Sequence, residues 1–137
     1  MRLIDPRGER ATDPTIPLGY GDSRYDLVKL LHSGVYLYDA AVQGFFSLNP
    51  DQDVGTSNSW RAQLFPPGNY QMVAKIFTQF SRRRQLTAAE ERYLTASLFF
   101  SMLPLHGDSV RRQQLLTLIG CCLVNDCFSL LLPCEIR

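Results

Sequence analysis

The sequence has little lysine, almost no histidine and one tryptophan. Lys29 and Lys75 are the only lysines among 14 basic residues, His32 and His106 the only histidines, and Trp60 the only tryptophan. The formal net charge is +1, so no strong field draws nucleic acid or an anionic membrane. Arg82-Arg83-Arg84 is the one basic run. It is too short for a nucleic-acid patch, and it falls where a helix is expected to end, a place where cations suit the dipole. No apolar run approaches the roughly 18 residues of a membrane span. Met1 is followed by Arg-Leu-Ile-Asp-Pro rather than by an apolar stretch, so no secretory signal is expected and a cytoplasmic location is. Cysteine is missing from the first 120 residues, and Cys121, Cys122, Cys127 and Cys134 make no C-x-x-C pair. Buried free thiols are therefore expected in preference to a disulfide or a metal knot.

What is present is an ordinary globular composition, 45% hydrophobic and 20% charged, over a length that fits one domain, residues 1–137. The pattern predicts a mainly α fold of the α+β kind. Arg2 to Asp5 reads as a short strand, and the Pro- and Gly-rich segment to Gly21 reads as loop. A helix capped by Asp22 or Ser23 should follow, pause near Gly34 and resume through Tyr38 to Val42. Residues 44–65 alternate on both sides of a polar stretch, which predicts a hairpin with its tip near Asp53 to Ser59. Three helices should follow. The first spans Tyr70 to Arg83, with Val73, Ile76, Phe77 and Phe80 on one face. The second is opened by the Thr87-x-x-Glu90 capping box and runs through Tyr93, Leu94 and Leu98 to Met102. The third has Asp108 or Ser109 as its cap, runs from Val110 to about Leu131 and is apolar almost all round in its second half.

Two stretches carry a family resemblance. Ile4-Asp5-Pro6-Arg7-Gly8, followed by Gly21-Asp22-Ser23-Arg24-Tyr25-Asp26-Leu27-Val28-Lys29-Leu30-Leu31-His32-Ser33, resembles aminoglycoside phosphotransferases and choline kinases. The likeness is greatest to a bacterial branch of sugar- or capsule-related phosphotransferases, where "IDPRG" precedes a "GDPRYDLAKLxHS" helix. Met102-Leu103-Pro104-Leu105-His106 with Arg111-Arg112-Gln113 looks like that branch's final helical region. The resemblance implies the helical C-terminal lobe of a protein-kinase-like fold. It makes Asp5 a magnesium ligand, the counterpart of the metal-binding Asp of D-F-G. Asp22 and Asp26 would support the catalytic loop from the start of a helix, and His32 is a candidate for the substrate cleft. ATP and Mg2+ are the implied cofactors, and a sugar or amino-alcohol the implied acceptor.

The same resemblance leaves a gap. The family needs a nucleotide-binding lobe with a strand lysine, and an H-x-D-x-x-x-x-N loop before the metal-binding Asp, whereas four residues precede Asp5. The chain alone is therefore expected to be inactive. It is expected to be a fragment, a truncated frame or half of a split protein, disposed to self-associate or to pair with the missing part. A non-catalytic interaction module is the alternative. His106-Gly107-Asp108 imitates a catalytic loop, but it comes in the wrong order and has Gln113 where the family has Asn. A turn with Asp108 as a helix cap is the better reading.

Overall fold

The structure is a computed structural model and describes residues 23–50, 60–83 and 86–133. The predicted strand at Arg2 to Asp5, Asp5 and Asp22 themselves, the hairpin tip and Cys134 lie outside the described residues. Within them the order is α1 (Ser23–Gly34), α2 (Tyr38–Val42), β1 (Phe46–Pro50), β2 (Trp60–Leu64), α3 (Tyr70–Arg83), α4 (Ala88–Met102) and α5 (Val110–Val124). Short 3-10 turns follow α4 (Leu103–His106) and α5 (Phe128–Leu131). The mainly helical fold with one antiparallel hairpin is as the sequence pattern predicts.

An antiparallel pair, α4 and α5, forms the centre. Gln113 donates to the Leu103 carbonyl at 2.9 Å near one end, and Arg92 meets Asp126 at 3.0 Å at the other. Both helices start on side-chain caps. The Thr87 hydroxyl accepts from the Glu90 amide, and the Glu90 carboxylate accepts from the Thr87 amide. Of the two candidate caps, Ser109 holds the start of α5 by accepting from the Arg112 amide at 3.3 Å. Asp108 instead accepts from the Arg112 guanidinium one turn on. Leu115, Leu116, Ile119 and Leu123 of α5 and Phe99 of α4 are fully buried, with Leu27, Val28 and Leu31 of α1 in the same core. Tyr93 is exposed, and the buried face of α4 passes through Thr95, Ala96, Leu98 and Phe99.

The hairpin pairs Phe46 with Leu64, Leu48 with Ala62 and Pro50 with Trp60. All six side chains therefore share one face of the ribbon. Leu48, Ala62 and Leu64 are buried on it. Trp60, at the far end, is about half exposed and separated from Phe46 by the length of the strand, so the two rings form no joint platform. Arg111 of α5 donates to the Leu48 carbonyl at 3.2 Å and ties the ribbon to the helices.

Two expectations need correction. The last helix ends at Val124, not near Leu131. Asn125 turns its side-chain amide back onto the Cys121 carbonyl at 2.8 Å, and Asp126 takes a left-handed conformation, φ 57°. Both residue types favour such turns over continued helix. The buried face of α3 is also rotated from the predicted stripe. Tyr70 and Ser81 are buried, with Val73, Ala74 and Phe77 partly so, whereas Met72, Ile76 and Phe80 are 60%, 56% and 41% exposed. The apolar arc of α3 is wider than the surface α1 offers it. Met72, Ile76 and Phe80 stand at i, i+4 and i+8, and so make a continuous outer stripe.

Candidate functional site

The joint between α1 and α2 has unusual backbone. Gly34 lets α1 approach α3, because a Cβ there would stand 2.6 Å from the Phe77 ring. The Val35 and Tyr36 amides then both bond to the Leu31 carbonyl, at 2.8 and 2.9 Å. Leu37 follows in the left-handed region, φ 60° and ψ 32°, a conformation uncommon for a residue with a side chain. The surroundings hold it there. The Tyr70 hydroxyl donates to the Val35 carbonyl at 2.9 Å, and Leu37 itself is buried. Burial pushes the Tyr70 hydroxyl up to about 12, so it stays a donor.

Beneath the joint lies a chain of polar contacts. The Tyr38 hydroxyl is 2.8 Å from His106 Nε2, and Arg112 Nη1 is 3.4 Å from Nδ1 of the same ring. Arg112 in turn reaches both oxygens of Asp108, at 3.0 and 3.2 Å. A guanidinium can only donate, so Nδ1 is the acceptor and Nε2 carries the proton given to Tyr38. Partial burial raises the Tyr38 pKa, the Asp39 carboxylate adds to the rise, and Arg112 opposes it. The mimic of a catalytic loop, His106-Gly107-Asp108, is thus a structural lock that fixes α2 against the start of α5.

His32 lies behind the same tyrosine. Its ring centroid is 4.2 Å from those of Tyr38 and Phe99. It is 3% exposed, and Nε2 has no hydrogen-bond partner among the described residues. Burial first, and the Lys29 charge second, lower its pKa to about 4. His32 lines neither of the two pockets below. Asp26 is exposed in the first turn of α1. Of the predicted site residues, the structure therefore places Asp26 and His32 on one helix, one outside and one in the core.

Among the described residues, two pockets stand out. One, of about 470 Å³, sits between the α1–α2 joint and the start of α3, and is walled by Phe45, Phe65, Pro66, Pro67 and Tyr70 with Asp39 among its linings. The other, of about 380 Å³, lies between Trp60 and Leu48 of the hairpin and the outer face of α5, with Gln113, Gln114 and Cys121. Both volumes fall in the range of small-ligand sites, about 300–1,000 Å³.

No family model, curated protein or solved structure matches this chain.

The site therefore stands on its geometry. Among the described residues no group of three or more His, Cys, Asp or Glu side chains is arranged to hold a metal ion, and Asp5 lies outside them. Cys121, Cys122 and Cys127 are free thiols; Cys121 is exposed, against the expectation of burial, whereas Cys122 is buried. Burial above all pushes the Cys122 thiol up to about 12, with Cys127 adding to the shift, so it is a poor nucleophile. No helix among the described residues is long and apolar enough to cross a membrane. Sequence reasoning missed Asp39, Phe45 and Phe65 as pocket residues. They come from three different segments, and the only local signal was the Gly34 break beside them.

Proposed function

We propose that this chain is the acceptor-side helical lobe of a small-molecule phosphotransferase. It would transfer the γ-phosphate of ATP to a hydroxyl of a sugar or amino-alcohol once completed by a nucleotide-binding part. One observation carries this reading. The segment resembling the family's "GDPRYDLAKLxHS" stretch folds as a helix, α1, which packs between α3 and α4 and ends, at Ser33 and Gly34, in the wall of the larger pocket. The acceptor would enter that pocket, and α1 would relate it to the segment carrying Asp5. Magnesium would neutralise the phosphate charge, with Asp5 the ligand that the resemblance implies. The described residues supply orientation and exclusion of water, and no proton transfer is assigned to them.

The test is transfer of labelled γ-phosphate from ATP with magnesium across a panel of sugars and amino-alcohols. The chain alone should show no turnover above background. Joined to a nucleotide-binding segment that carries an H-x-D-x-x-x-x-N loop, it should turn over an acceptor, and Asp5→Ala should then cost at least about a hundredfold. Turnover indifferent to Asp5→Ala would sink the proposal, as would silence of the completed protein toward every acceptor.

The outer stripe of α3 favours a second reading, a non-catalytic interaction module. Met72, Ile76 and Phe80 form an exposed apolar row on a helix whose opposite edge is packed, the arrangement by which amphipathic helices meet partners.

A further inference from the structure

The end of α5 brings two cysteines together. The Cys127 amide donates to the Cys122 carbonyl at 2.8 Å, and the Asp126 amide to the Leu123 carbonyl at 3.2 Å. Asp126 is left-handed, φ 57°, and Arg92 of α4 holds its carboxylate at 3.0 Å. Helices often end on this pair of bonds. It sets the third residue from the helix end against the second residue beyond the cap, a contact usually made by apolar side chains. Here both residues are cysteines. The shared backbone bond leaves their Cα atoms at most about 6.7 Å apart. That lies inside the span of a disulfide, about 4.4–6.8 Å. The two side chains also hydrogen-bond to each other.

The 3-10 turn Phe128–Leu131 starts from Cys127. Its Phe128 ring stands edge-on to Tyr36, centroids 5.0 Å apart. Leu131 and Leu132 are buried, and the turn packs on β2. A bond between the two sulfurs would therefore staple this turn to a central helix. Cys121 is exposed in the wall of the smaller pocket, about 100° round the helix from Cys122. Cys127 is partly buried and Cys122 buried, so of the pair a reagent from solvent meets Cys127 first.

We propose that Cys122 and Cys127 form a reversible disulfide, a modification site that takes a small-molecule disulfide as its oxidant and clamps the turn after α5. In the first exchange the Cys127 thiol gives up its proton and its sulfur attacks one sulfur of the small disulfide. That S–S bond breaks, and one small thiol leaves with a proton. In the second, the Cys122 sulfur attacks that of Cys127 and expels the other small thiol with the Cys122 proton. The cysteine pair loses two electrons, and the small disulfide gains them as two thiols. Excess small thiol runs the exchange backward. Burial holds the Cys122 thiol protonated, and the Cys127 thiol adds to this. The second contribution ends once Cys127 is in the mixed disulfide. The site does not depend on the phosphotransferase reading, since it needs neither nucleotide nor acceptor.

The experiment is equilibration of the whole chain with glutathione disulfide and glutathione, followed by acid quench, alkylation and cleavage before Asp126. That cut separates Cys121 and Cys122 from Cys127 and Cys134, and the two peptides should stay joined until reduced. A Cys121→Ser/Cys134→Ser chain keeps only Cys122 and Cys127 and should close as the wild type does. The equilibrium constant should be at least about tenfold higher in the folded chain than in urea, because a bond that fits the fold is favoured by it. On oxidation the Leu130 and Leu132 amides, bonded inside the turn, should exchange their hydrogens at least about threefold more slowly. Mixed disulfides or linked dimers alone in the double variant overturn the proposal. So does a wild-type bond that runs through Cys121 or Cys134, or an equilibrium constant no higher in the folded chain than in urea. Unchanged exchange at Leu130 and Leu132 overturns the clamp.

Discussion

Tyr38 and His106 share a hydrogen bond of 2.8 Å across 68 residues of sequence. The bond joins α2 to the turn between the two central helices. It also assigns the ring proton, because Arg112 occupies the other nitrogen. In nitrogen-detected NMR the neutral His106 ring should show the Nε2–H tautomer. Tyr38→Phe should cost about 1 kcal/mol in urea unfolding. It should also move the His106 nitrogen shifts toward a mixture of tautomers. Unchanged shifts in the variant would show that the bond does not hold the ring.

The buried His32 makes stability sensitive to mild acid. Its pKa in the folded chain, about 4, lies below its ordinary value of 6.5. The unfolded chain therefore takes up a proton first. Stability is full above about pH 6.5 and falls as the pH drops from 6.5 toward 4. The loss between pH 7 and 4.5 should be about 2–3 kcal/mol. His32→Phe keeps a flat ring between Tyr38 and Phe99 and should flatten this part of the profile. A His32→Phe chain with the same slope between pH 6.5 and 4.5 would assign the acid sensitivity to other groups.

The Phe100 ring lies over Gly120, where a Cβ would come within 2.7 Å of two ring carbons. Gly120→Ala gains helix propensity, about 1 kcal/mol, yet forces the ring away from the helix. Overpacking of this kind costs about 1–3 kcal/mol. A net destabilisation of up to about 2 kcal/mol is expected. In a Phe100→Leu background the same substitution should become neutral or stabilising, and a double-mutant cycle measures the difference. Equal effects in both backgrounds would mean that the ring swings aside freely.

The stripe on α3 should govern association. Ile76→Lys replaces its central exposed residue and should lower self-association in sedimentation at several concentrations. The unfolding midpoint should stay within about 0.5 kcal/mol of wild type. A chain that is monomeric at high concentration before the change would leave α3 without a role in self-pairing.

The sequence by itself determined the local elements. Periodicity and caps placed α1, α3 and α4 closely, including the Thr87–Glu90 capping box, and alternation around a polar stretch placed the hairpin. These follow from interactions three or four residues apart, or from the two-residue period of a strand. Tertiary structure decided which apolar residues are covered. Ile76 and Tyr93 fit the helical pattern and remain exposed, because burial depends on whether another element meets that side. It also decided the end of α5, where Asn125 and Asp126 outweigh the apolar run beyond them. The pocket with Asp39, Phe45 and Phe65, and the lock of Tyr38 on His106, were not legible in any window of sequence. Each depends on the left-handed Leu37 and on the packing of α2 against α5, contacts that exist only once distant segments have been brought together.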